Sequence, residues 1–244
     1  MDKFQKNLKI EFKGDINPVT DADYLSQEKI ISVIKSQYPH HGIIAEEGDN
    51  HKKGVEEYRW IIDPLDGTVN YSHSYPFFCV SIAMQKGGEV AAGAVYNPVL
   101  DEMFTAIKGG GAHLNGKPIR VSGCRDINRG LLCTGFPYDI KESPDNNLVH
   151  FSNFIMAAQA GRRDGTAALD LCCVAAGRFD GFWELKLYPW DVAAGGLIIK
   201  EAGGEVTDFS GSEFDPFASN IVASNGLIHE NMLAIIEKAQ RYTR

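Results

Sequence analysis

The chain has 244 residues, enough for one large or two small domains, and 44% are hydrophobic, enough for a substantial core. A formal net charge of −8 excludes a general nucleic-acid binder, because no basic stripe is present to displace phosphate counterions. No apolar run reaches membrane-spanning length, and the stretch Met1 to Lys6 lacks the apolar core of a signal peptide. The five cysteines, Cys79, Cys124, Cys133, Cys172 and Cys173, form no CxxC pair. Cys172 and Cys173 fall in an apolar helical run, as core thiols do in a reducing compartment. These features predict a soluble, cytoplasmic protein.

In chain order, Lys13 to Pro18 reads as a loop. An amphipathic helix follows over Tyr24 to Ile34, with Asp23 as its expected N-cap. Gly42 to Ala45 is a short strand that runs into Glu46-Glu47-Gly48, and residues 49–57 form a charged loop. Trp60-Ile61-Ile62 reads as the end of a buried strand, and Pro64 is expected to turn the chain between Asp63 and Asp66. Phe78 to Gln85 and Val90 to Val95 alternate around Lys86-Gly87-Gly88-Glu89, which predicts an antiparallel hairpin. Met103 to Ile107 is a further strand, and Asn115-Gly116 marks a second tight turn.

The composition shifts near residues 121–128. This divides the chain into an N-terminal α+β half, residues 1–124, and a C-terminal α/β half, residues 125–244. The second half alternates strand and helix. Strands are expected over Leu131 to Phe136, Phe179 to Glu184, Glu205 to Asp208 and Ile221 to Ser224. Helices are expected over residues 145–160, Thr166 to Gly177, Asp191 to Ala202 and residues 229–242.

The stretch Asp63-Pro64-Leu65-Asp66-Gly67-Thr68 carries the chemistry of interest. Hard carboxylate oxygens on a tight turn suit Mg²⁺. The small residue, hydroxyl and backbone N–H groups just beyond suit a phosphate. An acidic β-turn that only ends a strand explains the hexapeptide equally well. Asp23, Glu46 with Glu47, and Asp191 also lie at ends of predicted elements, and each alone is explained by a cap or a solvated turn. Together they flank apolar runs, and like charges gathered in one cleft need cations.

Three signatures decide between these readings. They are Ile44-Ala45-Glu46-Glu47-Gly48, Trp60 to Asn70, and Trp190-Asp191-Val192-Ala193-Ala194-Gly195, with Gly165-Thr166-Ala167-Ala168-Leu169-Asp170 between the last two. The chain resembles the inositol monophosphatase family of Mg²⁺-dependent, lithium-sensitive sugar phosphatases from about Lys13 to the C-terminus. Arg162-Arg163, Ala175 to Glu184 and Thr134-Gly135-Phe136-Pro137-Tyr138 are most similar to its bacterial branch. The chain departs from the family pattern in a shorter N-terminal helical region, in the spacing of Lys13 to Asp23, and in Asp164, where a small or apolar residue is usual.

The resemblance implies a layered αβαβα sandwich of the inositol monophosphatase/fructose-1,6-bisphosphatase type, with the active site between its halves, and a homodimer. It implies two or three Mg²⁺ ions. Glu46, Asp63 and the Leu65 carbonyl would hold the first. Asp63, Asp66 and Asp191 would hold the second, and Glu46 would reach a weaker third. Thr68, hydrogen-bonded to Asp23, would act with Glu46 on the attacking water. Gly67 and Thr68 would bind phosphate through their N–H groups. Gly165, Thr166, Ala167 and Glu184 would line the sugar pocket, with Glu184 receiving hydroxyls.

The implied activity is hydrolysis of myo-inositol monophosphate or a similar small phosphate monoester. Histidinol phosphate, fructose 1,6-bisphosphate and 3′-phosphoadenosine 5′-phosphate are alternatives within the same chemistry. An accessory role with the transcription machinery is the alternative of another class.

Overall fold

The computed structural model describes residues 1, 4–5, 10–13, 17–48 and 57–240, with backbone alone for Phe12, Lys13, Asn17, Ala239 and Gln240. Strands β1 (Ile10–Lys13) and β2 (Asn17–Thr20) pair as an antiparallel hairpin where the sequence suggested only a loop. The Lys13 side chain and residues 14–16 lie outside the described residues, as does most of the predicted 49–57 loop.

Helix α1 (Asp21–Gln37) follows directly. Its N-cap is Thr20, and Asp23 is the third helical residue. Asp23 Oδ2 accepts from the Thr20 N–H at 2.8 Å and from the Thr20 hydroxyl at 2.6 Å. This reciprocal cap satisfies N–H groups that a helix start leaves unpaired, and it locks the Asp23 carboxyl in place.

Strand β3 (Gly42–Ala45) runs parallel to β4 (Tyr58–Asp66). Pro64 does not end β4. The register shifts between Asp63 and Asp66, so the strand carries its proline in an irregularity. Helix α2 (Thr68–Ser72) leads to β5 (Cys79–Lys86), β6 (Glu89–Asn97), β7 (Glu102–Ile107), β8 (Ala112–Leu114) and β9 (Lys117–Pro118). Seven strands form one sheet in the order β3-β4-β5-β6-β7-β8-β9. Asn115 and Gly116, at φ 49° and 75°, make the tight turn expected of that dipeptide.

The remaining elements are β10 (Leu131–Thr134), α3 (Leu148–Ala157), β11 (Ala160–Arg162), α4 (Ala167–Ala175), β12 (Gly181–Leu185), α5 (Pro189–Glu201), β13 (Glu205–Thr207), β14 (Asn220–Ser224) and α6 (His229–Gln240). Five of them form a mixed sheet in the order β11-β10-β12-β14-β13. Helix α3 is shorter than residues 145–160 suggested, because Asn147 takes φ 71° at its start.

The layers run α1, the seven-stranded sheet, α4 with α5, the five-stranded sheet, and α3 with α6. This is the αβαβα sandwich. Helix α5 packs on strands of both sheets and is buried over most of its length, so it is apolar on all sides. Small residues permit this. A Cβ on Gly195 would lie 2.7 Å from the Leu171 side chain of α4, and one on Gly93 of β6 would lie 3.0 Å from the Ala194 Cα. Cys79, Cys133, Cys172 and Cys173 are buried, and all five cysteines are unpaired. No helix among the described residues is long and apolar enough to cross a membrane.

Candidate active site

A cavity of about 460 Å³ opens where the two sheets approach through the N-termini of α4 and α5. Its walls include Glu46, Asp63, Leu65, Asp66, Gly67, Thr68, Gly165, Thr166, Ala167, Glu184 and Asp191. All the sequence-predicted site residues except Asp23 therefore line one space. Asp23 stands one hydrogen bond behind it.

The irregularity in β4 sets the geometry of the two aspartates. Asp63 Oδ1 accepts from the Leu65 N–H at 2.9 Å, replacing a bond that the sheet would have made. The Pro64 carbonyl accepts from the Ser26 hydroxyl at 2.8 Å, which ties the bulge to α1. Asp66 Oδ2 accepts from the Ala168 N–H at 2.8 Å, at the first turn of α4, where a helix favours negative charge. The sequence placed the start of α5 at Asp191, but Asp191 is its third residue, and its Oδ2 accepts from the Tyr188 N–H at 2.7 Å. Glu46 follows the end of β3 and lines the cavity. Glu47 is buried away from it, with its backbone held on both sides by the Gln27 amide.

Thr68 sits just past Gly67, whose φ of 93° lets the chain turn into α2. The Thr68 hydroxyl lies 3.0 Å from Asp23 Oδ1 and 3.0 Å from the Leu65 carbonyl oxygen. Asn70 joins this segment to the opposite wall by donating to the Phe77 carbonyl and the Asp164 carbonyl, both at 2.7 Å. The Asp164 side chain, marked by sequence as a departure, is absent from the cavity wall, and so is Arg162.

The carboxyls raise one another's proton affinity. Burial pushes Asp63 well above the carboxylate range, and Glu46, Asp66 and Asp191 reinforce the effect. Burial and Asp66 do the same to Asp191. Burial lifts Asp66 to about 6, against the pull of the Ala168 N–H. Glu184 is lifted to about 8 by burial and by Asp66, with Arg163 opposing. Asp23 is raised by burial against the bonds from Thr20 and Thr68. Among the described residues, no three His, Cys, Asp or Glu side chains converge as a ready-made metal cage. The carboxyls act on each other across the cavity without closing on one point.

Sequence reasoning gave no role to several wall residues, Tyr138 and Asp170 among them. Tyr138 lines the cavity, and its phenol is raised by burial and by Glu46, Asp66 and Asp191. Asp170 lines it from α4, is 1% exposed, and has an Oδ1 with no hydrogen-bond partner. A single charge in the otherwise apolar run Ala167 to Ala176 was the available signal for Asp170.

The fold and this cavity are those of the inositol monophosphatase family, a family of phosphatases. The chain belongs to it: the family description matches residues 1–241. It is 44% identical over 229 residues to a putative Nus factor SuhB of Neisseria meningitidis serogroup A, covering 94% of this chain and 88% of that protein. The solved inositol monophosphatase of Anabaena (Nostoc) sp. PCC 7120 superposes with a TM-score of 0.87 at 43% identity, covering 89% of this chain and 86% of the other. An IMPase/NADP phosphatase solved with Mg²⁺ and phosphate superposes with a TM-score of 0.84 at 26% identity, covering 94% of this chain and 86% of the other.

Proposed function

We propose that this protein is a Mg²⁺-dependent phosphatase that hydrolyses myo-inositol monophosphate or a similar small phosphate monoester. The observation that carries the reading is the shared wall: Glu46, Asp63, Asp66 and Asp191 face one cavity with the Thr68 hydroxyl, and Glu184 faces the same space. Oxygen-only donors fit a hard divalent cation. The mutual elevation of Asp63, Asp66 and Asp191 marks charge that a cation would neutralise. The solved relative that holds Mg²⁺ and phosphate supports the same choice.

Glu46, Asp63 and the Leu65 carbonyl would hold one ion, and Asp63, Asp66 and Asp191 a second, with Glu46 reaching a third. Bound there, Mg²⁺ supplies neutralising charge and Lewis acidity to a phosphate ester and its attacking water. The chain's own residues supply orientation. Thr68 donates its proton toward Asp23 Oδ1, which leaves hydroxyl lone pairs to receive a proton from water. Asp23, kept dry and raised, is suited to accept a share of that proton. Thr68 and Gly67 N–H groups would meet phosphate oxygens. Glu184, with Gly165, Thr166 and Ala167, would receive the leaving group's hydroxyls.

Phosphate release from a panel of inositol monophosphate, histidinol phosphate, fructose 1,6-bisphosphate and 3′-phosphoadenosine 5′-phosphate tests the reading. The expected result is Mg²⁺-dependent turnover with preference for the inositol ester. No turnover on any of the four would sink it.

The 44% identity to a putative Nus factor SuhB favours a second reading, a partner role with the transcription machinery. Capture from cell extract by the wild type and by Asp63→Asn separates the two, because a partner role should survive loss of hydrolysis. We further propose a cytoplasmic homodimer, supported by the five unpaired thiols and by exposed Leu148, Ile155 and Met156 on α3. Light scattering of the purified protein decides its oligomeric state. The proposed halves, residues 1–124 and 125–244, are each built around one of the two large sheets, and limited proteolysis tests the boundary.

A further inference from the structure

The stretch Thr134 to Tyr138 stood out in the sequence without acquiring a role. Its glycine lines the cavity, as Glu184 does. Gly135 has no positive φ, so backbone freedom does not explain it. Space does. A Cβ built on Gly135 would lie 2.5 Å from the Glu184 Cδ and 2.5 Å from Glu184 Oε2, and would overlap Oε1 as well. The Glu184 carboxyl therefore lies flat in the volume that a side chain at position 135 would fill.

A buried network holds both residues in that relation. Thr134 and Trp183 are register partners on the parallel strands β10 and β12. The Thr134 hydroxyl donates to the Trp183 carbonyl. The Asn147 amide donates to the Thr134 hydroxyl at 2.9 Å and to the Gly135 carbonyl at 2.6 Å, and its oxygen accepts from the Trp183 indole at 2.9 Å. Thr134, Asn147 and Trp183 are buried, and Trp183 stacks on Phe154 at 3.9 Å between centroids. Buried networks of this kind are stiff when every member is paired. The residue after each network strand partner, Gly135 and Glu184, inherits that stiffness.

We propose that Gly135 is a positioning residue that sets specificity for polyhydroxy leaving groups. The empty space at position 135 lets the Glu184 carboxyl lie back against the strand floor, where it presents acceptor oxygens to hydroxyl donors and leaves the cavity open. A methyl group there would push the carboxyl into the space that a polyol occupies. A leaving group without hydroxyls has no need of this carboxyl, so it should be indifferent to position 135. The inference rests on the proposed phosphatase activity.

The test is a two-substitution cycle of Gly135→Ala and Glu184→Ala, read by unfolding and by kinetics. Gly135→Ala should lower the unfolding midpoint in the wild-type background and have little effect in Glu184→Ala, where the methyl group has room. In kinetics, Gly135→Ala should raise KM for inositol monophosphate by about threefold to tenfold, the worth of one hydrogen bond. Its kcat, and both constants for p-nitrophenyl phosphate, should stay near wild type. Adding Glu184→Ala should erase any further effect of Gly135→Ala.

Equal losses on both substrates, or an effect of Gly135→Ala undiminished in the Glu184→Ala background, overturn the inference. If Gly135→Ala fails to fold, folding of the double variant upholds the clash, and failure of both variants overturns it. A wild type without turnover on either ester defeats the phosphatase reading and the specificity claim with it. Turnover with a flat cycle defeats the claim for Gly135 alone.

Discussion

Glu184 offers a test of the site's electrostatics that needs no substrate. Burial, then Asp66, lift its carboxyl from an ordinary 4.5 to about 8, with Arg163 opposing. That difference corresponds to about 5 kcal/mol of stability lost by high pH. The sign follows from the direction of the shift. A raised folded-state value means that the stabilising contribution is fully present below about pH 4.5 and is lost as pH rises through about 8. Gln cannot ionise, so Glu184→Gln should have no such loss. Of the 5 kcal/mol, about 4 should develop between pH 5 and pH 9. For a chain of this length, 1 kcal/mol moves Tm by about 2–4 °C, so the variant's advantage should grow by roughly 10 °C across that range. The measurement is thermal and urea unfolding of both proteins in a chelator, at intervals from pH 5 to pH 9. Asp66, lifted to about 6, titrates in both proteins and so largely cancels in the difference. A constant offset between the two proteins, or an advantage that shrinks as pH rises, would refute the reasoning.

Asp63→Asn and Asp191→Asn relieve buried repulsion, so each should leave the metal-free protein at least as stable as wild type at pH 8. Each should also abolish the gain in Tm expected of the wild type on adding Mg²⁺, read by thermal unfolding with and without the ion. Thr68→Ala removes a donor from the fully buried Asp23 and should cost about 1–2 kcal/mol in urea unfolding, with kcat lost. Thr68→Ser keeps the hydroxyl and should recover most of both. Gly93→Ala would press a methyl group against the backbone of Ala194 at 3.0 Å and should cost about 1–3 kcal/mol, seen as a lower urea midpoint.

Much of the framework was legible because its signals are local. The alternation around Gly87-Gly88 and the Asn115-Gly116 turn located two hairpins of the large sheet. The apolar runs marked α4 and α5 because those helices are covered on both sides. The misses have physical causes. Pro64 stays within β4 because the strand shifts register there, and the Asp63 side chain takes the Leu65 N–H in place of a neighbouring strand. Asp23 and Asp191 lie one turn inside their helices and cap backward. The Thr20-x-x-Asp23 spacing carried that information for α1. The β1–β2 hairpin was hidden by its mixed, partly polar composition and short strands, and it lies outside the two large sheets. The acidic set of the site was legible from its motifs. The Gly135–Glu184 contact was not, because it depends on the pairing of strands some fifty residues apart.

The carboxyls of the site are held against their own repulsion by backbone donors. Leu65 N–H reaches Asp63, Ala168 N–H reaches Asp66 and Tyr188 N–H reaches Asp191. Two of these donors belong to the starts of α4 and α5, where the helix ends also favour negative charge. On a loose surface, carboxyls so placed would swing apart into water. Here separation would require α4 or α5 to slide, and neither has room, because Gly195 meets Leu171 between them and Gly93 meets Ala194 against the large sheet. The tight middle layer therefore converts charge repulsion into raised proton affinity instead of movement. A cation entering the cavity displaces protons from a preformed arrangement, so Mg²⁺ binding should release protons, from Asp66 at pH below its value of about 6 and from the more strongly raised Asp63 and Asp191 at higher pH. Calorimetric titration of Mg²⁺ in buffers of different ionisation enthalpy measures that release directly. Binding heats that do not depend on the buffer would mean that the carboxyls are already ionised and that the layer yields.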